Sequence, residues 1–411
     1  MCSRNHWLRL AAMTAGLILV FAAFPGDQTV YGQDEIRIGN TNPYSGPASS
    51  YGTIGRAIGF YFNKVNDEGG INGRKINYIS YDDGYSPPRT VEQIRKLVEQ
   101  DRVHLLFQTL GTPTNSAIHK YVNKKKIPHL FVATGATKWG NPKEYPWTMG
   151  WQPNYQTVSK IFAQYVIENV PGARIGILYQ NDDYGKDYLY GFKAGLAEGI
   201  ERAGLTGDQA PRIVMEQSYE VTDPTIDSQI INLKTSGANV FFNISIPKFA
   251  AQAIKRIKAI GWDPLHIIND VSTSIDAVLR PAGLENAIGL ISAQYIKDPA
   301  SPEWADDPGM IDFLKFMDKY VPAESRNPAF TVYAYSVSQT LVYVLERCGD
   351  DLSRENIMRQ AANIRNLELP MLLPGIKINT GPDDFYPIEQ MQMQRFDGEK
   401  WVRFGDLLSA G

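Results

Sequence analysis

From residue 34 onward, short apolar runs of strand length alternate with stretches whose apolar residues recur at helical spacing. That alternation restricts the chain to an α/β fold, because parallel strands must be joined by crossovers, usually helices. Residues 36–39 read as the first strand. Ile54, Ile58, Tyr61, Phe62 and Val65 then mark one face of a helix, which Gly69-Gly70 ends. Residues 75–81 alternate as a strand, and the helix begun by Pro88 carries Val91, Ile94, Leu97 and Val98. The plan resumes after Asn154, with strands expected at 174–179, 212–219, 240–243, 266–268 and 287–294. Between the two halves, residues 139–153 are rich in Trp, Tyr and Pro without periodicity, which marks a connection. Residues 330–347 read as a long apolar helix, and 375–401 as short strand-like runs with turns.

The stretch from 107 to 137 points to a site. The apolar run 103–107 is broken by Gly111-Thr112-Pro113-Thr114, with Thr112 expected as N-cap and Pro113 at the first helical position. Ile118, Tyr121 and Val122 then mark the buried side of the helix. A second strand over 127–132 ends in Ala133-Thr134-Gly135-Ala136-Thr137. Two parallel strands thus end side by side in Gly/Thr loops, and the first loop opens a helix. Helix N-termini present unpaired N–H groups and a positive partial charge, so a carboxylate socket is expected here. Ordinary capping of two strand–helix turns accounts for the same residues when they are taken alone.

Composition narrows the function. The chain has 411 residues, 43% hydrophobic and 21% charged, with a net charge of -3. This suits a two- or three-domain globular protein and disfavours a nucleic-acid partner. Arg4 and Arg9 precede an apolar stretch over 10–24 as a positive n-region, and Val30-Tyr31-Gly32 suits a cleavage end. Residues 1–32 are therefore read as a signal peptide and the mature protein as exported. Removal of Cys2 would leave Cys348 alone, so no internal disulfide is expected and Cys348 reads as an inert buried thiol. No nucleotide-binding, zinc-protease or nucleophile-elbow signature occurs, so an enzyme, a cofactor and a metal site are not expected. Asp82-Asp83 reads as a solvated turn, and His104 and His129 as packed strand residues.

The residues 43–47 (PYSGP) with Tyr51-Gly52, 66–73 (NDEGGING), Tyr81-Asp82-Asp83, Gly135-Ala136-Thr137, Tyr184-Gly185 and Tyr333-Ala334-Tyr335 resemble the type I periplasmic solute-binding proteins of the leucine/isoleucine/valine-binding family. The resemblance implies two Rossmann-like lobes with parallel sheets, joined by three hinge crossings. It maps lobe one to 34–150 plus 295–372 and lobe two to 151–294 plus 373–411. It further implies a monomeric receptor that delivers a small-molecule carboxylate or amino acid to the membrane permease of an ABC importer. Gly111, Thr112, Gly135, Ala136 and Thr137 would hold the ligand carboxylate, Tyr184 would cover the ligand, and Tyr51 would border its side chain. The family's second lobe-two tyrosine falls at Ser245, and its acidic partner for an ammonium group falls near Asp270. Its cysteine pair falls at Tyr85 and Leu110. These departures, with Tyr44, Tyr51, Trp139, Trp151 and Tyr184 in expected cleft loops, point to a small apolar or aromatic carboxylic acid. A branched-chain amino acid is the alternative; an exported enzyme or a sensor domain on the same frame stands as the rival class.

Overall fold

The computed structural model describes residues 35–409; the expected signal peptide lies outside them. Two sheets organise the chain. The first has the order β2-β1-β3-β4, all parallel: β1 (Glu35–Asn42), β2 (Lys75–Asp82), β3 (Leu105–Phe107) and β4 (His129–Leu130). The pleat sends alternate side chains to opposite faces. Leu105 and Phe107 face the cluster around Ile58 and Phe62 of α1 (Gly52–Asp67). Leu106 packs with Ile94 and Leu97 of α2 (Pro87–Glu99) and with Ile118 and Val122 of α3 (Thr112–Lys124).

The second sheet has the order β11-β10-β9-β8-β7-β5-β6, with β10 (Gln390–Phe396) and β11 (Trp401–Ser409) at one edge. Its parallel part is β5 (Arg174–Gln180), β6 (Arg212–Tyr219), β7 (Val240–Ile244), β8 (Leu265–Ile268) and β9 (Ile291–Gln294). Every residue of β7 is buried, as a central strand covered on both faces requires. The helices α4 (Tyr155–Asn169) and α5 (Asp183–Ala203) pack together, as do α6 (Asp227–Thr235) and α7 (Pro247–Ala259). After the short α8 (Arg280–Ala282) and β9, the chain returns to pack α9 (Pro308–Tyr320) and α10 (Pro328–Cys348) on α1. It then passes α11 (Arg354–Ala361) and ends in β10 (Gln390–Phe396) and β11 (Trp401–Ser409).

The chain thus crosses between the two sheets three times. Two of the crossing segments pair with each other, through Ile296 and Leu372. Trp151, on the other crossing, packs its ring on Tyr295 and Tyr333 and donates its indole N–H to Thr340 at 2.9 Å.

Several local expectations change. The sheets are not wholly parallel: β10 runs antiparallel to β9, and β11 antiparallel to β10. The strand expected over 127–132 shortens to two residues, because Phe131 turns to a φ of 55° and leaves the ladder. Thr112 is not the N-cap of α3; Gly111 is, at φ 102° and ψ 146°. The Thr112 hydroxyl instead meets the Thr134 hydroxyl at 2.6 Å and ties the two loops together. Asp83 is fully buried rather than solvated; it accepts from the Tyr85 N–H and the Thr90 hydroxyl, and burial pushes its pKa up to about 6. Cys348 is buried as expected, and burial raises its thiol to about 11.

Candidate binding site

The carboxyl ends of both sheets face one partly open cavity of about 100 Å³. Open α/β sheets bind ligands at this end of their strands. From the loops after β3 and β4 come Leu110, Gly111, Thr112 and Ala133; from those after β5, β7 and β8 come Tyr184, Ile246, Asp270, Val271, Thr273 and Ser274. The crossings add Gln152, Tyr155, Gln294, Tyr295 and Ile296. Tyr51 and Ile54 at the start of α1, Tyr85, and Ala329, Phe330 and Tyr333 of α10 complete the wall.

The anion-attracting element is the start of α3. The first turn of a helix leaves N–H groups without intrahelical acceptors. Gly111 brings this turn to the cavity because its backbone geometry is one that only glycine adopts readily. A Cβ there would also lie 2.5 Å from the Tyr85 ring.

Asp270 supplies the opposite pole. Among the described residues it is the one charged side chain that lines the cavity. It is 6% exposed and accepts from the Tyr188 hydroxyl. Burial, partly offset by that hydrogen bond, pushes its pKa up to about 6. A carboxylate in this position has lost its water without gaining a cation.

Rings surround these poles. Tyr184 accepts from the Asn269 amide and meets Tyr155 edge-on at 5.5 Å. Tyr51 packs against Phe330 at 5.3 Å. The Tyr51 hydroxyl donates to the Val271 carbonyl at 3.0 Å, joining α1 to the loop after β8.

Of the residues singled out from sequence, Tyr51, Gly111, Thr112, Tyr184 and Asp270 meet at the cavity. Gly135, Ala136, Thr137 and Ser245 do not line it. Gly135 lets the loop rest on the next crossing: its carbonyl accepts from the Tyr155 N–H at 2.7 Å, and a Cβ would meet the Pro153 carbonyl at 2.6 Å. Ala136 is buried below the surface. Thr137 does hold a carboxylate, but one from the chain itself. Its N–H and hydroxyl donate to Asp187 of α5 at 2.7 and 2.9 Å. Ser245 turns its hydroxyl back onto Asn243. Tyr44, Trp139 and Trp151 also stay outside the cavity lining: Tyr44 bonds Ser80, Trp139 packs on His119 and Tyr145, and Trp151 is hinge packing.

Sequence reading assigned no role to Gln152, Tyr155, Gln294, Tyr295 or Phe330. Gln152 lies in the aperiodic connection. Tyr85 and Leu110, at the positions of the family's cysteine pair, both reach the cavity wall.

Known proteins agree with this architecture. The family model described as periplasmic binding protein matches residues 35–400. A Leu/Ile/Val-binding protein homolog 1 from Brucella suis is 22% identical over 78% of this chain and 81% of its own length. A branched chain amino acid ABC transporter structure from Thermus thermophilus, with bound valine, superposes with a TM-score of 0.81 at 15% identity, covering 92% of this chain and 98% of that one. An ABC transporter solute binding protein from Rhodopseudomonas palustris, in complex with 3,4-dihydroxy benzoic acid, gives 0.75 at 19% identity, over 92% and 98%.

Proposed function

Because the chain belongs to the periplasmic binding protein family, we propose that it is an extracytoplasmic solute receptor serving the permease of an ABC importer. Its lobes are taken as 34–150 plus 295–372 and 151–294 plus 373–411. Its ligand is an apolar or aromatic amino acid, in line with the amino-acid alternative and not with the plain carboxylic acid that the sequence reading puts first. The carrying observation is the buried, uncompensated carboxylate of Asp270 in the same cavity as the α3 N-terminus. A zwitterion answers both poles: its carboxylate meets the helix N–H groups and its ammonium meets Asp270. The Tyr and Phe rings take the apolar body. The valine complex among the structural neighbours is compatible with this chemistry.

A plain aromatic acid is the second reading, favoured by the ring-lined wall and by the dihydroxybenzoate-bound neighbour. On that reading Asp270 binds in its protonated form. Calorimetric titration separates the two. L-Phenylalanine and L-leucine should bind, and their desamino analogues 3-phenylpropanoate and 4-methylpentanoate should bind at least 30-fold more weakly. Preference for the desamino acids would select the second reading. Binding of neither series would remove both.

Ligand binding is expected to be coupled to lobe closure. Asp183, at the start of α5, takes Lys138 at 2.7 Å and Ser116 at 3.0 Å from the first lobe. The Lys138 hydrogen bond holds the Asp183 carboxyl below its ordinary pKa. The pair is partly exposed, so its contribution is small, on the order of 0.2–1 kcal/mol. Asp183→Asn should weaken ligand binding by roughly two- to fivefold at low ionic strength, with the difference fading in high salt. Equal affinities at both salt concentrations would show that this clasp does not favour the closed form.

A further inference from the structure

Two tyrosines one turn apart on α5 hold two consecutive residues of the loop after β8. The Tyr184 hydroxyl accepts from the Asn269 amide, and the Tyr188 hydroxyl donates to Oδ1 of Asp270. Residues four apart share a helix face, so one face of α5 addresses both. The two tyrosines differ in their exposure to a ligand. Tyr184 lines the cavity, whereas Tyr188 is fully buried and is not part of the wall. The Tyr188 ring stacks on Tyr155 with centroids 4.2 Å apart, meets Tyr184 edge-on at 5.6 Å and meets Phe242 of β7 edge-on at 6.4 Å. A ring packed in this way holds its hydroxyl in a fixed place, while Asp270 carries its carboxylate on two rotatable bonds.

We infer that Tyr188 is a positioning residue for recognition: its hydroxyl holds one oxygen of Asp270 and so orients the carboxylate toward the ammonium group of an amino-acid ligand, without touching that ligand. This rests on the reading of Asp270 as the partner of the ligand cation. Asp270 and Tyr188 both belong to the lobe built on the second sheet, so the carboxylate is oriented before the lobes close.

A donor to a carboxylate also favours its charged form. Burial raises the Asp270 pKa to about 6, and the Tyr188 hydroxyl, with the N–H groups of Asp270 and Val271, opposes that rise. The titratable groups that face Asp270 are tyrosines: Tyr188 of α5, Tyr155 of α4, Tyr51 beside the start of α1, Tyr295 on a crossing and Tyr333 of α10. Burial raises the pKa of each, so all stay neutral where Asp270 titrates.

The test is the dissociation constant of the tighter of L-leucine and L-phenylalanine, measured by calorimetry from pH 4.5 to 8.5 on wild type and Tyr188→Phe. The substitution keeps the stacked ring and removes the donor. Wild-type affinity should fall below about pH 6. In Tyr188→Phe the fall should begin about 1–2 pH units higher. A purely structural role would instead lower affinity by the same factor at every pH. In an Asp270→Asn background, Tyr188→Phe should change affinity by less than about twofold, because a residue that acts through another has no separate effect once that other is removed. Tyr188→Met also lacks the donor and should move the profile in the same direction; melting curves establish that each variant is folded. An unmoved profile in both variants, or a full further loss on top of Asp270→Asn, overturns the inference and leaves the amino-acid reading standing. Wild-type affinity that holds steady as the pH falls through 6, or binding of neither amino acid, overturns the inference together with that reading.

Discussion

Asp270→Asn should reduce the affinity for the best amino-acid ligand by at least 30-fold while making the ligand-free protein more stable. The two effects have one origin. In the empty cavity Asp270 is charged at neutral pH without a cation beside it, and burial has raised its pKa from 3.8 to about 6. That shift corresponds to about 2–3 kcal/mol of cost to the folded state at neutral pH. Asparagine removes the charge and keeps an acceptor for Tyr188, so denaturant midpoints of the ligand-free variant should rise. With ligand present, the same carboxylate pairs a buried ammonium, and its loss costs about 2–3 kcal/mol of binding. Sites that trade stability for recognition behave in this way. Unchanged affinity for an amino acid, or a less stable empty protein, would show that Asp270 is an ordinary structural carboxylate.

Gly111→Ala should abolish measurable binding and lower stability by about 1–3 kcal/mol from backbone strain alone. The residue sits at φ 102° and ψ 146°, and the added Cβ would approach the Tyr85 ring to 2.5 Å and the Thr114 hydroxyl to 2.7 Å. Relief requires the start of α3 to move, and that turn presents the N–H groups on which the carboxylate depends. The comparison is with Gly204→Ala, at the end of α5. It also has positive φ, 62°, but meets nothing within 4 Å and lies away from the cavity. Gly204→Ala should cost stability and leave binding intact. Equal affinities in the wild type and Gly111→Ala would show that the first turn of α3 takes no part in recognition.

The order of strands and helices is legible in the sequence because it depends on local periodicity: β6 and α10 fall within two residues of their expected ends. The antiparallel β10 and β11 were harder to read, since their pairing joins residues that lie beyond the third crossing. At the site, Gly111 and Asp270 are visible as a glycine before a helix start and an acid at a strand end. Thr137 looked equivalent to Thr112 because both sit in Gly/Thr loops. Which one faces a ligand depends on Asp187, 50 residues away, filling the donors of Thr137. Ser245 carried no sign that its hydroxyl would fold back two residues to Asn243. Tyr85, Gln152, Tyr155, Tyr295 and Phe330 come to the cavity from two crossings, α10 and the loop after β2, and local pattern does not encode that convergence. The four described histidines, 104, 119, 129 and 266, are all buried, and burial lowers each below its ordinary pKa. His129 lies in β4 as a packed strand residue, whereas His104 is buried but sits just before β3.

The most direct measurement is the dissociation constant of the wild-type protein for its best ligand from pH 4.5 to 8. Burial pushes the pKa of Asp270 up to about 6. An ammonium ligand requires its charged form, so affinity should hold steady above that pH. Below it, affinity should fall toward tenfold per pH unit, as a proton must leave Asp270 before the ligand enters. Asp270→Asn should flatten this profile. Affinity that rises as the pH falls through 6 would mean that the ligand binds the protonated acid, contradicting the assignment of Asp270 as the partner of a ligand cation.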